Sequence, residues 1–113
     1  MKKIEAFVKA HRRDEVVRAL HHVQDVTGIT VTDARGFGRG RGGDEGRPSP
    51  GMIGDFIPNI RIEVFCRDEL AERVVGAIEK AAHTGLRGDG KIYVIPVEQA
   101  VRISTGERGE AAV

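Results

Sequence analysis

Apolar and polar residues alternate in three separate stretches of the chain. In "KIEAFVK" (Lys3–Lys9) Ile4, Ala6 and Val8 point one way and Glu5, Phe7 and Lys9 the other, the period of a strand with two unlike faces. "GITVTDARGFG" (Gly28–Gly38) sets Ile29 and Val31 against Thr30 and Thr32, and "NIRIEVFC" (Asn59–Cys66) sets Ile60, Ile62 and Val64 against Arg61, Glu63 and Phe65. "KIYVIPV" (Lys91–Val97) is β-branched, aromatic and closed by proline, and predicts a fourth strand; "AVRIS" (Ala100–Ser104) predicts a short fifth. Two stretches carry the helical period. "RRDEVVRALHHV" places Val16, Leu20 and Val23 on one stripe, and "RDELAERVVGAIEKAA" does the same with Leu70, Val74, Ile78 and Ala81, Asp68 standing as N-cap.

The order is β-α-β, a long loop, then β-α-β, which predicts an α+β fold of the ferredoxin-like split βαβ type (βαββαβ). Two helices cover one face of a four-stranded sheet. The other carries Phe7 and Phe65 among polar residues, an apolar patch that self-association would bury. Between Gly36 and Pro58 runs "GFGRGRGGDEGRPSPGMIGDFIP", about twenty aperiodic, glycine-dense residues of the kind that is functional or disordered in small domains.

Bulk composition narrows the class. A chain of 113 residues makes one domain, 1–113, with a modest core. The net charge of +1 offers no electrostatic field for nucleic acid. One cysteine, Cys66, excludes an internal disulfide, and the opening residues contain no apolar run of membrane length. These features predict a small cytoplasmic protein.

"TGLRGDGK" holds the chemistry. Gly85, Gly90 and Lys91 fit the first seven positions of G-x-x-x-x-G-K-[ST], but Ile92 stands where the magnesium-holding hydroxyl belongs. A strand, not a helix, follows. Taken alone, such a turn reads equally as an ordinary helix-to-strand connection or as a nest that holds phosphate by backbone N–H groups and a lysine without cleaving it. Other motifs are plainer. "RGRGGDEGR" has an RNA-binding flavour, but Asp44 and Glu45 interrupt it and the sheet lacks the aromatic RNA signature. His21 and His22 are adjacent on a helix and point about 100° apart, so they are read as surface residues, and no metal site is expected. His83 reads as a solvated helix end and Cys66 as a small apolar residue. No nucleophile stands with a base, so no catalytic residue and no enzyme activity is expected.

With that order and these blocks, the chain resembles the PII signal-transduction proteins along nearly its whole length. "MKKIEAFVK", "GITVTDARGFGRG", "DFIPNIRIEV", "TGLRGDGKIYV" and "AVRISTGERGEAAV" are similar to their opening strand, second strand and T-loop base, T-loop return, B-loop, and C-terminal loop with tail. The T-loop would span about 37–57, the B-loop about 83–91 and the C-terminal loop about 101–113. The resemblance implies a homotrimer with nucleotide sites in the clefts between subunits. Phosphates would meet Gly38, Arg39, the backbone and side chains of Gly88, Asp89, Gly90 and Lys91, and a neighbour's Arg102; Thr30, Glu63 and Phe65 would hold adenine, with Phe7 nearby.

Four departures qualify what is carried over. The family glutamine that binds magnesium and 2-oxoglutarate is Gly40, the lysine that pairs with the 2-oxoglutarate carboxylate is Asn59, the uridylylated tyrosine aligns with Met52, and a second phosphate-side arginine is Ser104. The resemblance therefore implies a regulator without a tightly bound cofactor, binding ADP or AMP at least as well as ATP and not modified by uridylylation. Its partner would be a membrane transporter or a metabolic enzyme that accepts the T-loop, with membrane contact only through a transporter. Arg39, Arg41 and the glycine N–H groups near Gly40 and Asn59 suit a small planar anion, and the loop's resemblance to PII-like proteins linked to inorganic-carbon uptake implies bicarbonate. The alternatives are a regulator reading adenylate ratio or nitrogen status with no bicarbonate response and, more distantly, an RNA-binding ferredoxin-like module.

Overall fold

In a computed structural model the described residues are 1–36 and 57–113. Gly38, Arg39, Gly40, Arg41 and Met52, with nearly all of the predicted T-loop, lie outside them. Strand β1 (Lys2–Lys9) leads through a 3-10 turn (Ala10–Arg12) into helix α1 (Arg13–His21), then β2 (Thr30–Gly36). Strand β3 (Ile57–Cys66), helix α2 (Asp68–Ala82) and β4 (Gly90–Pro96) repeat the unit, and a 3-10 turn (Gly109–Ala112) comes near the C-terminus. The sheet order is β2-β3-β1-β4 with every neighbouring pair antiparallel. Each βαβ unit is thus split by a strand of the other, as the alternation predicts.

The register follows from which residues want burial. Ile4 pairs with Val64, Ala6 with Ile62 and Val8 with Ile60, so each strand's apolar set falls on one face. Helices α1 and α2 cover that face with Val16 and Leu20, and with Leu70, Val74, Ile78 and Ala82, all buried. Removing so large a side chain as the fully buried Ile62 leaves a cavity, at a cost of about 2–5 kcal/mol for Ile→Ala. Cys66 is 2% exposed, and burial pushes its thiol pKa up; it is a core residue, as read.

Several local expectations need correction. Asp68 is the first residue of α2, not its cap; Arg67 holds the cap position, and the Asp68 carboxylate accepts from the Met1 amino group at 2.8 Å. The buried stripe of α2 ends on Ala82, with Ala81 only partly buried, so the buried positions Leu70, Val74, Ile78 and Ala82 keep a spacing of four to the end of the helix. Helix α1 stops at His21, and Val23 reaches the core from the segment beyond it. "AVRIS" is no strand: Val101 makes an isolated bridge to Arg108. Its backbone partners come from its own hairpin, Arg102 N–H donating to Glu107 O at 2.9 Å and Gly106 N–H to Arg102 O at 2.7 Å. Val31, on edge strand β2, is exposed, since the helices cover the central strands first.

The face away from the helices is uncovered in the single chain. Phe7 meets Tyr93 edge to face at 6.4 Å, and Phe65, Tyr93 and Ile95 are exposed. Among the described residues no helix is long and apolar enough to cross a membrane.

Candidate functional site

The phosphate-loop sequence forms the turn from α2 into β4. Gly85, Gly88 and Gly90 have φ of 81°, 81° and 106°, left-handed values that only glycine adopts without strain. Asp89 closes the turn from inside. Its carboxylate accepts from Thr84 N–H at 2.9 Å, Gly85 N–H at 3.2 Å and the Thr84 hydroxyl. Lys9 Nζ from the end of β1 lies 3.1 Å from Asp89 Oδ1 and donates to Thr84 Oγ1 at 3.0 Å. The Thr84 hydroxyl and backbone bonds, with Lys9, hold the Asp89 carboxyl well below its usual range. This corrects one expectation: the Asp89 side chain is directed into its own loop and is saturated there. Lys91 is exposed at the start of β4 and has no ion-pair partner among the described residues. A concavity of about 360 Å³ is lined here by His83, Asp89, Gly90, Lys91 and Ile92 with parts of β1 and α2.

Thr30, Glu63 and Phe65 gather elsewhere. Thr30 and Glu63 are register partners across β2 and β3, and with Phe65, Gly28, Gln99 and Val101 they line a second concavity of about 490 Å³. It shares no lining residue with the first. Phe65 pairs with Lys3 and Lys91 with Phe7, so the two centres are four residues apart along β1, about 13 Å at the rise of a strand. Glu63 Oε2 accepts from Lys3 Nζ at 2.9 Å, and Lys3 also reaches Glu5 at 2.9 Å and stands 5.9 Å from the Phe65 ring centroid. The hydrogen bonds to Glu5 and Glu63 raise the Lys3 pKa, and the bond from Lys3 lowers that of Glu63.

Arg102 and Ser104 sit in the exposed 101–108 hairpin. Arg102 Nε lies 3.8 Å from Glu107 Oε1, and its side chain is half exposed. Asn59 is 5% exposed, opposite Lys9 in the β1–β3 register. Sequence reasoning assigned Lys9 nothing beyond a strand face; the signal was unreadable because its partners lie 75 and 80 positions away. Among the described residues no three His, Cys, Asp or Glu side chains group as metal ligands.

These shifts fix the pH response of stability. Asp89 and Glu63 have folded values below their ordinary 3.8 and 4.5, so their contribution is full above those values and is lost as pH falls through the folded ones. Lys3 is raised above 10.5, so its contribution is full below that and is lost at still higher pH. The melting temperature is expected to stay level down to about pH 5 and fall below it. Asp89→Asn should lower it at neutral pH and flatten the acid limb; an unchanged acid limb, followed by circular dichroism, would remove Asp89 from this role.

Comparison with known proteins agrees with this architecture. Residues 1–107 match the family model described as Nitrogen regulatory protein P-II. The chain is 53% identical to a nitrogen regulatory protein P-II of Azospirillum brasilense and 50% identical to one of Rhodospirillum rubrum, each over 113 residues and the whole of both chains. A crystal structure of Arabidopsis thaliana PII bound to citrate superposes with a TM-score of 0.80 at 35% identity, over 99% of this chain and 91% of that one. Turn, sheet and full-length likeness lead to one conclusion: the chain belongs to the P-II family of nitrogen regulatory proteins, signal-transduction regulators rather than enzymes.

Proposed function

We propose that this protein is a homotrimeric regulator that binds adenine nucleotides between subunits and acts on a membrane transporter or metabolic enzyme through residues of the 37–57 segment. One observation carries the nucleotide reading. Lys91 offers an ammonium with no ion-pair partner among the described residues, at the lip of a glycine turn whose own carboxylate is already satisfied, the arrangement that favours a phosphate. The adenine half, Thr30, Glu63 and Phe65, lies in a separate concavity together with Val101, next to Arg102. In this reading each half of one chain meets the complementary half of another, and the uncovered face with Phe7, Phe65 and Tyr93 supplies an apolar surface for that association. Ser104 brings no cation to the terminal phosphate, so ADP and AMP compete well with ATP in this reading.

The second effector is a small singly charged anion such as bicarbonate. Asn59 is buried and uncharged, and Lys9 opposite it is committed to Asp89, so a dianion such as 2-oxoglutarate would be left under-compensated. Calorimetry tests the whole reading. ADP should bind, Lys91→Ala should weaken it by about 1.5–3 kcal/mol, the range of a hydrogen bond to a charged group, and bicarbonate but not 2-oxoglutarate should add heat to the ADP-loaded protein. No heat from ADP defeats the nucleotide site; heat from 2-oxoglutarate defeats only the anion assignment.

A further inference from the structure

Asp89 presents an anion in the same turn that offers Lys91 to a ligand, and an uncovered carboxylate there would repel phosphate. The structure covers it from outside the turn. Lys9 Nζ, at the far end of β1, is 3.1 Å from Asp89 Oδ1 and 3.0 Å from Thr84 Oγ1. His83 Nδ1 approaches Asp89 Oδ2 at 3.5 Å, but its side chain is 73% exposed whereas those of Lys9 and Asp89 are 18% and 24% exposed. Lys9 is therefore the fixed counter-charge and His83 a peripheral neighbour. The turn does not need Lys9 for its shape, because Thr84 N–H, the Thr84 hydroxyl and Gly85 N–H already anchor Asp89, and Leu86 N–H donates to Thr84 Oγ1 at 3.1 Å.

We infer that Lys9 is a positioning residue for anion recognition: it neutralises Asp89 so that the turn carrying Gly90 and Lys91 is net cationic toward a ligand phosphate. The inference rests on the nucleotide reading above. It differs from a direct phosphate contact by Lys9, whose ammonium is held between Asp89 and Thr84.

A mutant cycle separates these roles. Lys9→Met keeps the length of the stem and removes the charge. ADP affinity should fall about tenfold, the order expected when a like charge is uncovered several ångströms from an anion at a partly screened surface, and the deficit should shrink at high salt. The double variant Lys9→Met/Asp89→Asn should recover to within about threefold of wild type. There the asparagine oxygen can accept from Thr84 and Gly85 while its amide donates to Thr84 Oγ1. Lys9→Arg should bind like wild type. A purely structural role predicts the opposite, since the double variant removes both halves of the contact, and a direct phosphate contact predicts no recovery. Lys9→Met binding like wild type, or a double variant no better than Lys9→Met, overturns the inference. Where Lys9→Met does not fold by circular dichroism, Lys9→Gln, which keeps a donor for Thr84, replaces it in the same cycle. Wild-type protein silent toward adenylates overturns the nucleotide reading and this inference with it; binding by wild type with an unaffected Lys9 variant overturns this inference alone.

Discussion

Gly90→Ala is expected to abolish measurable adenylate binding and to destabilise the protein by about 3 kcal/mol or more. A Cβ on Gly90 would lie 1.7 Å from Phe7 O and 2.8 Å from Phe7 C, and the residue has a φ of +106°. Backbone cannot yield as the tip of a flexible side chain does, so the clash opens the β1–β4 ladder at Val8–Gly90 and Phe7–Lys91. Lys91 then leaves the turn it serves. Gly76 is the control: nothing lies within 4 Å of its added Cβ and its φ is not left-handed. Gly76→Ala, inside α2, should stabilise the protein by up to about 1 kcal/mol through helix propensity. Thermal melts and ADP calorimetry on the two variants decide the matter, and a Gly90→Ala protein with wild-type melting and binding would refute the close approach.

Lys91→Ala and Arg102→Ala, each crippled alone, are expected to restore sites when their subunits are mixed. The expectation follows from the two concavities. Lys91 belongs to the one near α2 and β4, and Arg102 follows Val101 at the edge of the other. If a nucleotide bridges the first of one copy and the second of its neighbour, a mixed assembly regains intact sites wherever the two wild-type halves meet. Random 1:1 mixing after denaturation and refolding gives about a quarter intact sites, half times half, in a closed ring. Those sites should titrate with wild-type affinity, against a loss of roughly tenfold to a hundredfold in either parent. Mixed protein that binds no better than its parents would put both residues in one subunit's site and remove the need for a trimer. The hairpin geometry favours recovery: the Arg102 side chain is half exposed, and a guanidinium can hold a phosphate through two nitrogens.

What the chain reveals before folding is set by local periodicity. Alternation at Ile4, Ala6 and Val8, repeated at Ile60, Ile62 and Val64, is enough to assign two strands and their buried faces, because a strand's side chains must alternate. The stripe from Leu70 to Ile78 does the same for α2, and both sets are buried as their spacing requires. "TGLRGDGK" reads as a glycine turn because three left-handed φ values need three residues without a Cβ. Family membership was legible for the same reason: it rests on blocks of local sequence. Edges and ends were less so. Val31 alternates like a core residue yet is exposed, since its strand took an edge position that only sheet order assigns. "AVRIS" has strand composition, but its partner is Arg108 across a short hairpin, not a fifth sheet position. Asp68 has the chemistry of a cap and instead meets the Met1 amino group.

The candidate site divides along the same line. Lys91, Gly90, Thr30 and Glu63 could be named from motif and resemblance, but only tertiary structure put Lys91 and Gly90 in one concavity, Thr30 and Glu63 in another, and directed Asp89 inward. Lys9 shows why. It is 75 positions from Thr84 and 80 from Asp89, and its charge acquires a meaning only when β1 and β4 lie side by side. Periodicity fixes which way a side chain points; which charge it meets there is decided by strand order and register, which bring together residues that no local pattern connects.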